Sequence, residues 1–89
     1  MPFFVAIMET IDADKDAEVL DAHKAYLQHH IDIGNIYAKG PFTDHSGGLI
    51  ILKTDSFETA QSVMDNDPVS LNNTRKITLK QWKTTLGEQ

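Results

Sequence analysis

Two short apolar runs constrain this chain most: Phe3-Phe4-Val5-Ala6-Ile7-Met8 and Leu49-Ile50-Ile51-Leu52. Neither alternates apolar with polar residues, so each reads as a strand covered on both faces. Everything else in the 89 residues has to be arranged around two such strands.

The intervening segments supply the partners. Asp12, Asp14 and Asp16 offer N-cap candidates and negative charge for the first turn of a helix. That helix is expected to run to about residue 33 and stop at Gly34, a residue type suited to the position past a helix end. Leu20, Leu27 and Ile31 mark its buried stripe, with His23 and His30 on the same side. Residues 36–39 form a short strand ended by Gly40-Pro41, and residues 44–48 read as a loop. Asp55, with Glu58 three residues on, resembles a capping box that opens a second helix. Phe57, Ala60 and Met64 give that helix its buried face. Asp67-Pro68 stops it, because the residue before a proline avoids the α region. Residues 75–82 make the last strand, with Ile77 and Leu79 alternating against Lys76, Thr78 and Lys80.

The order is β-α-β-β-α-β, which predicts one α+β domain over residues 1–89 with both helices on one face of an antiparallel sheet. The apolar strands belong in the middle and the Lys- and Arg-bearing strands at the edges. That gives the order 4-1-3-2, a ferredoxin-like arrangement. Two helices cover one sheet face only, yet strands one and three are apolar on both. A second copy packed sheet to sheet is the economical cover, so a homodimer is expected. Trp82 falls on the opposite phase to Ile77 and Leu79, toward that interface, unless a bulge near Gln81 restores it to the core.

Composition narrows the function. With no cysteine, thiolate chemistry and disulfides are excluded. The six-residue N-terminal apolar run lacks a basic flank and is too short for a signal peptide or membrane span, so a cytoplasmic protein with no membrane partner is expected. Net charge is −5, and the eight Lys and Arg residues are scattered apart from a loose group at Arg75, Lys76, Lys80 and Lys83. A nucleic-acid partner needs a clustered basic footprint and is not expected. The Arg75 group reads as the solvated side of an edge strand. Metal is not expected either. His29 and His30 diverge by about 100° on a helix, and no His pair stands at i, i+4. No other cofactor is called for.

His23 and Asp67 are the candidate catalytic residues. His23 lies between Leu20 and Leu27 on the inward stripe of the first helix, and Asp67 extends the Ala60–Met64 stripe of the second by one turn. A carboxylate beside an imidazole fixes its tautomer and favours general acid/base work. Read singly, a histidine on an apolar stripe is more often a hydrogen-bonded core residue, and an Asp before Pro a helix stop. Gly40, Pro41, Phe42 and Asp44, followed by Gly47-Gly48, form a second group that could border a ligand, since glycine lets backbone approach closely. Ser70 adds a hydroxyl near Asp67.

The string His23-x-x-Tyr26-Leu27, Gly34, Gly40-Pro41-Phe42-x-Asp44-x-x-Gly47-Gly48-Leu49-Ile50-Ile51, Ser56-x-x-x-Ala60 and Asp67-Pro68 resembles the YCII-related (YciI-like) family of the dimeric α+β barrel superfamily. The resemblance implies a ferredoxin-like dimer with a pocket between helices and sheet, and a histidine/aspartate centre that maps onto His23 and Asp67. It also implies lyase- or isomerase-type chemistry on a small organic acid or phenolic compound. Val69-Ser70-Leu71-Asn72-Asn73-Thr74 departs from the family's usual aromatic and Ala-Gly residues, so the pocket wall differs there. A non-catalytic ligand-binding or accessory dimer would use the same pocket, and the sequence does not separate the two.

Overall fold

The computed structural model describes residues 1–86. Its elements run β1 (Phe3–Thr10), α1 (Ala13–Asp32), β2 (Ile36–Pro41), β3 (Gly47–Lys53), α2 (Phe57–Asp65), α3 (Pro68–Leu71) and β4 (Arg75–Trp82). The strands form one antiparallel sheet in the order β2-β3-β1-β4, the same sequence of neighbours as 4-1-3-2 read from the other edge. This is the ferredoxin-like α+β fold.

Each helix begins and ends for a local reason. The Asp12 side chain accepts a hydrogen bond from the Lys15 amide, capping α1. Gly34, at φ +89°, carries the chain out of α1 through a backbone conformation that a side chain would strain. The cap of α2 is Ser56 rather than Asp55: the Ser56 hydroxyl accepts from the Thr59 amide, while Asp55 takes the Thr59 hydroxyl. The extra turn α3 is absent from the sequence reading. Asp67, extended at ψ 136°, caps it through the Val69 amide, and Pro68 occupies its first position, where a missing N–H costs nothing. Asn73, at φ +56°, takes the left-handed conformation that asparagine tolerates.

Register assigns the two sheet faces. Phe4, Ala6 and Met8 of β1 pair with Leu52, Ile50 and Gly48 of β3 and with Gln81, Leu79 and Ile77 of β4. All but the exposed Gln81 lie under the helices, where Leu27, Ala60, Val63 and Met64 close the core over them. Val5, Ile7, Leu49 and Ile51 face away. The β1–β4 register is unbroken through Phe3↔Trp82, so no bulge turns Trp82 inward and it stands on the open face, 39% exposed. The irregularity falls on β2, between Ile36 and Ala38. It brings Lys39 and Pro41 opposite Ile50 and Gly48, on the helix side. No helix among the described residues is long and apolar enough to cross a membrane.

Candidate active site

Asp16, Leu20, His23 and Leu27 recur at i, i+4, i+7 and i+11, so one stripe of α1 carries an acid and an imidazole down onto the sheet. His23 and Asp16 are buried, and Asp67 is completely so. The His23 ring is gripped from one side. Its Nδ1 lies 2.7 Å from Asp67 Oδ1, which also accepts the Val69 amide at 3.1 Å. A carboxylate offers only acceptors, so Nδ1 carries the proton and the other ring nitrogen, Nε2, is left for other partners. Asp67 reaches the ring from the cap of α3, just past the end of α2, and not from a helix face as the stripe count implied. Proline at 68 forces that extended conformation. Its second oxygen, Oδ2, is buried and has no hydrogen-bond partner among the described residues.

Arg75 stands on the far side of the ring, its Nη1 3.5 Å from His23 Nε2. It is held by Asp16 through a two-pronged contact, Nε to Oδ1 at 2.8 Å and Nη2 to Oδ2 at 2.9 Å. The Thr74 hydroxyl donates to Asp16 Oδ1 as well, at 2.8 Å. The Arg75 guanidinium holds the Asp16 carboxyl below its ordinary range, against the opposing effect of burial. Arg75 shares its face of β4 with Ile77 and Leu79, so it turns inward. The expectation of a solvated edge group therefore does not apply to it.

His23 and Arg75 border a cavity of about 110 Å³ between α1 and the sheet. Leu20, Leu27, Met8 and Ile50 supply its apolar wall, and Gly40, Pro41, Gly47 and Gly48 its backbone floor. A Cβ on Gly48 would come within 2.9 Å of the Gly40 carbonyl oxygen and 3.2 Å of Met8 Cε. The floor is open because nothing projects from that position. Lys24, Lys39 and Arg75 complete the lining.

Of the residues singled out from sequence, His23, Gly40, Pro41, Gly47 and Gly48 border the cavity, with Asp67 directly behind His23. Phe42, Asp44 and Ser70 lie away from it. Phe42 helps close the β2–β3 turn through backbone hydrogen bonds to Gly47 and His45. Asp44 is exposed, and its side chain accepts from the Ser46 amide and hydroxyl. Ser70 donates its hydroxyl to the Met64 carbonyl, at the end of α2. The sequence reading missed Asp16 and Arg75. Spacing held the signal for both, since Asp16 precedes Leu20 by one turn and Arg75 is in phase with Ile77. Among the described residues, no group of three or more His, Asp or Glu could hold a metal ion.

Fold and cavity define a ferredoxin-like α+β domain with a buried His–Asp pair at the edge of a small pocket. The YCII-related domain model matches residues 1–83, and the chain belongs to that family. It is 36% identical over 81 residues to the uncharacterised protein YjpA of Bacillus subtilis, covering 90% of this chain and 95% of that one. A solved structure of the same fold is 5-chloro-2-hydroxyhydroquinone dehydrochlorinase from Burkholderia phenoliruptrix AC1100, in complex with 2,5-dihydroxybenzoquinone. It matches with a TM-score of 0.78 and 22% identity, over 91% of this chain and 93% of that one.

Proposed function

We propose that this protein is a dimeric YciI-like enzyme that moves a proton on a small organic acid or phenolic compound, in a lyase- or isomerase-type reaction. The observation that carries this reading is the buried imidazole, held at Nδ1 by Asp67 at 2.7 Å while its ring borders the cavity. Nε2 takes a proton from the substrate. The electron pair left behind either expels a leaving group from the neighbouring atom, giving elimination, or recaptures the proton at another carbon, giving isomerisation. Asp67 sets the tautomer and balances the charge that forms on the ring. The structural neighbour is named as a dehydrochlorinase, which favours the elimination branch.

The second copy packs on the open sheet face. Val5, Ile7, Leu49 and Ile51 make that face apolar, flanked by Trp82 and by Phe3 edge-on to Tyr37 at 5.4 Å. The reading is tested by a thermal-shift screen against small acids, phenols and 2,5-dihydroxybenzoquinone, followed by turnover assays on the hits. Product formation that His23→Gln abolishes supports it. Ligands that bind but yield no product with the native chain reduce it to a binding module.

A further inference from the structure

We propose that Arg75 is the anion-holding residue of the cavity, so that its ligand is an anion whose charged atoms lie against Arg75 Nη1, with the body of the ligand beside His23 Nε2. This deepens the proposed function and rests on the His23 cavity being the ligand site.

Three of the chain's eight Lys and Arg residues line this one cavity, on a chain of net charge −5. No Asp or Glu lines it among the described residues. Both nearby acids are spent on protein groups behind the wall: Asp67 on His23 and the Val69 amide, Asp16 on Arg75 and Thr74. What faces the cavity is therefore a set of three cationic side chains beside the His23 ring, over an apolar bed.

Arg75 is the fixed member of that set. Two of its three nitrogens are committed to Asp16 at 2.8 and 2.9 Å, which locks the guanidinium plane. The third, Nη1, has only weak neighbours, Met8 Sδ at 3.7 Å and His23 Nε2 at 3.5 Å. It keeps donor capacity in a side chain only 11% accessible, where a charged hydrogen bond is little screened. Lys24 and Lys39 are exposed and add a mobile positive field at the lining. The size of the body follows from the volume. An apolar cavity of about 150 Å³ holds benzene, so about 110 Å³ takes at most one ring or a short aliphatic chain. The ligand class is a small carboxylate, phenolate or enolate. In the proton transfer proposed above, the same Nη1 would stabilise the oxyanion that forms as His23 takes the proton.

The test compares two probes of one shape, benzoate and benzamide, by amide-resolved NMR titration of the intact protein. Benzoate is expected to bind at least ten times more tightly, with shifts at His23, Gly48 and Arg75, and to weaken as salt is raised. Arg75→Lys keeps the charge but loses the fork and should reduce benzoate binding several-fold. If that variant does not fold, the exposed pair Lys24→Gln with Lys39→Gln serves instead. It should weaken benzoate several-fold and leave benzamide unchanged. Equal binding of both probes in the cavity, or benzoate binding indifferent to these substitutions, overturns the anion assignment while leaving the His23 pocket standing. Failure of both probes to perturb the cavity residues overturns the pocket reading and this inference together.

Discussion

Replacing Asp67 with asparagine separates the charge of the pair from its shape. The two side chains are nearly isosteric, and only one placement of the amide fits. The Val69 N–H requires an acceptor at the Oδ1 position, so the asparagine oxygen stays there and still accepts from His23 Nδ1. The tautomer and the ring orientation are kept. The amide NH2 then occupies the Oδ2 position, which is buried and has no partner among the described residues. Its unmet hydrogen bonds cost about 1–3 kcal/mol. Removing a completely buried carboxylate with an unpartnered oxygen offsets much of that. The variant should therefore melt within about 8 °C of the native chain, for a net loss of about 1 kcal/mol or less. Catalysis should suffer far more. A charge on the ring loses a counter-charge roughly 4 Å away, worth about 3–4 kcal/mol at an effective dielectric of about 20, and the Arg75 cation on the other side remains. That corresponds to a rate loss of roughly 10²–10³. Solvent deuterium exchange at the acidic C–H of a bound ligand, followed by NMR, reads the proton step without requiring the full reaction. A folded Asp67→Asn variant exchanging within threefold of the native rate would refute the reasoning.

His23→Ala leaves Asp67 with the Val69 amide alone and should cost about 1–3 kcal/mol in chemical denaturation, whereas His23→Gln, which can still donate to Asp67, should recover most of it. Gly48→Ala puts a methyl against the Gly40 carbonyl and into the cavity floor; ligand binding should fall at least tenfold in calorimetry for a destabilisation of about 1–3 kcal/mol. Ile51→Lys places a charge on the open face and should give a folded monomer by light scattering. Ile50→Lys, completely buried under the helices, should prevent folding. A native dimer that survives Ile51→Lys would rule out the sheet-to-sheet interface. Asp16 is held below its ordinary 3.8 by Arg75. Its contribution to stability is thus complete above that value and is lost as pH falls through the lower folded value. Asp16→Asn should flatten the acid limb of the stability–pH curve, and an unchanged limb would show the clamp to be inert.

Most of the fold was legible because patterning and position agree. Continuous apolar runs mark central strands, charged strands mark edges, and Gly34 and Pro68 end helices for steric reasons. The His23–Asp67 pair was legible as a shared inward phase, although the carboxylate arrives from a capping position. Three features were hidden for physical reasons. Aspartate in a first helical turn usually serves the helix dipole, which masked the inward phase of Asp16, and nothing in the spacing pointed to its partner 59 positions away. Lysines around Arg75 masked its inward phase. Phe42, Asp44 and Ser70 were drawn in by their nearness in sequence to glycines and to Asp67. Their backbone and side-chain hydrogen bonds close a turn and a helix end instead.

Asp67 holds His23 with its proton on Nδ1 and its lone pair on Nε2, beside the anion site at Arg75. Long-range 15N–1H NMR of the histidine rings measures this directly, with the four histidines of the chain resolved by subtracting the His23→Gln spectrum. The expected result is a protonated Nδ1, a bare Nε2, and a shift at Nε2 when benzoate is added. A proton resident on Nε2, or an Nε2 signal indifferent to saturating benzoate, would contradict it.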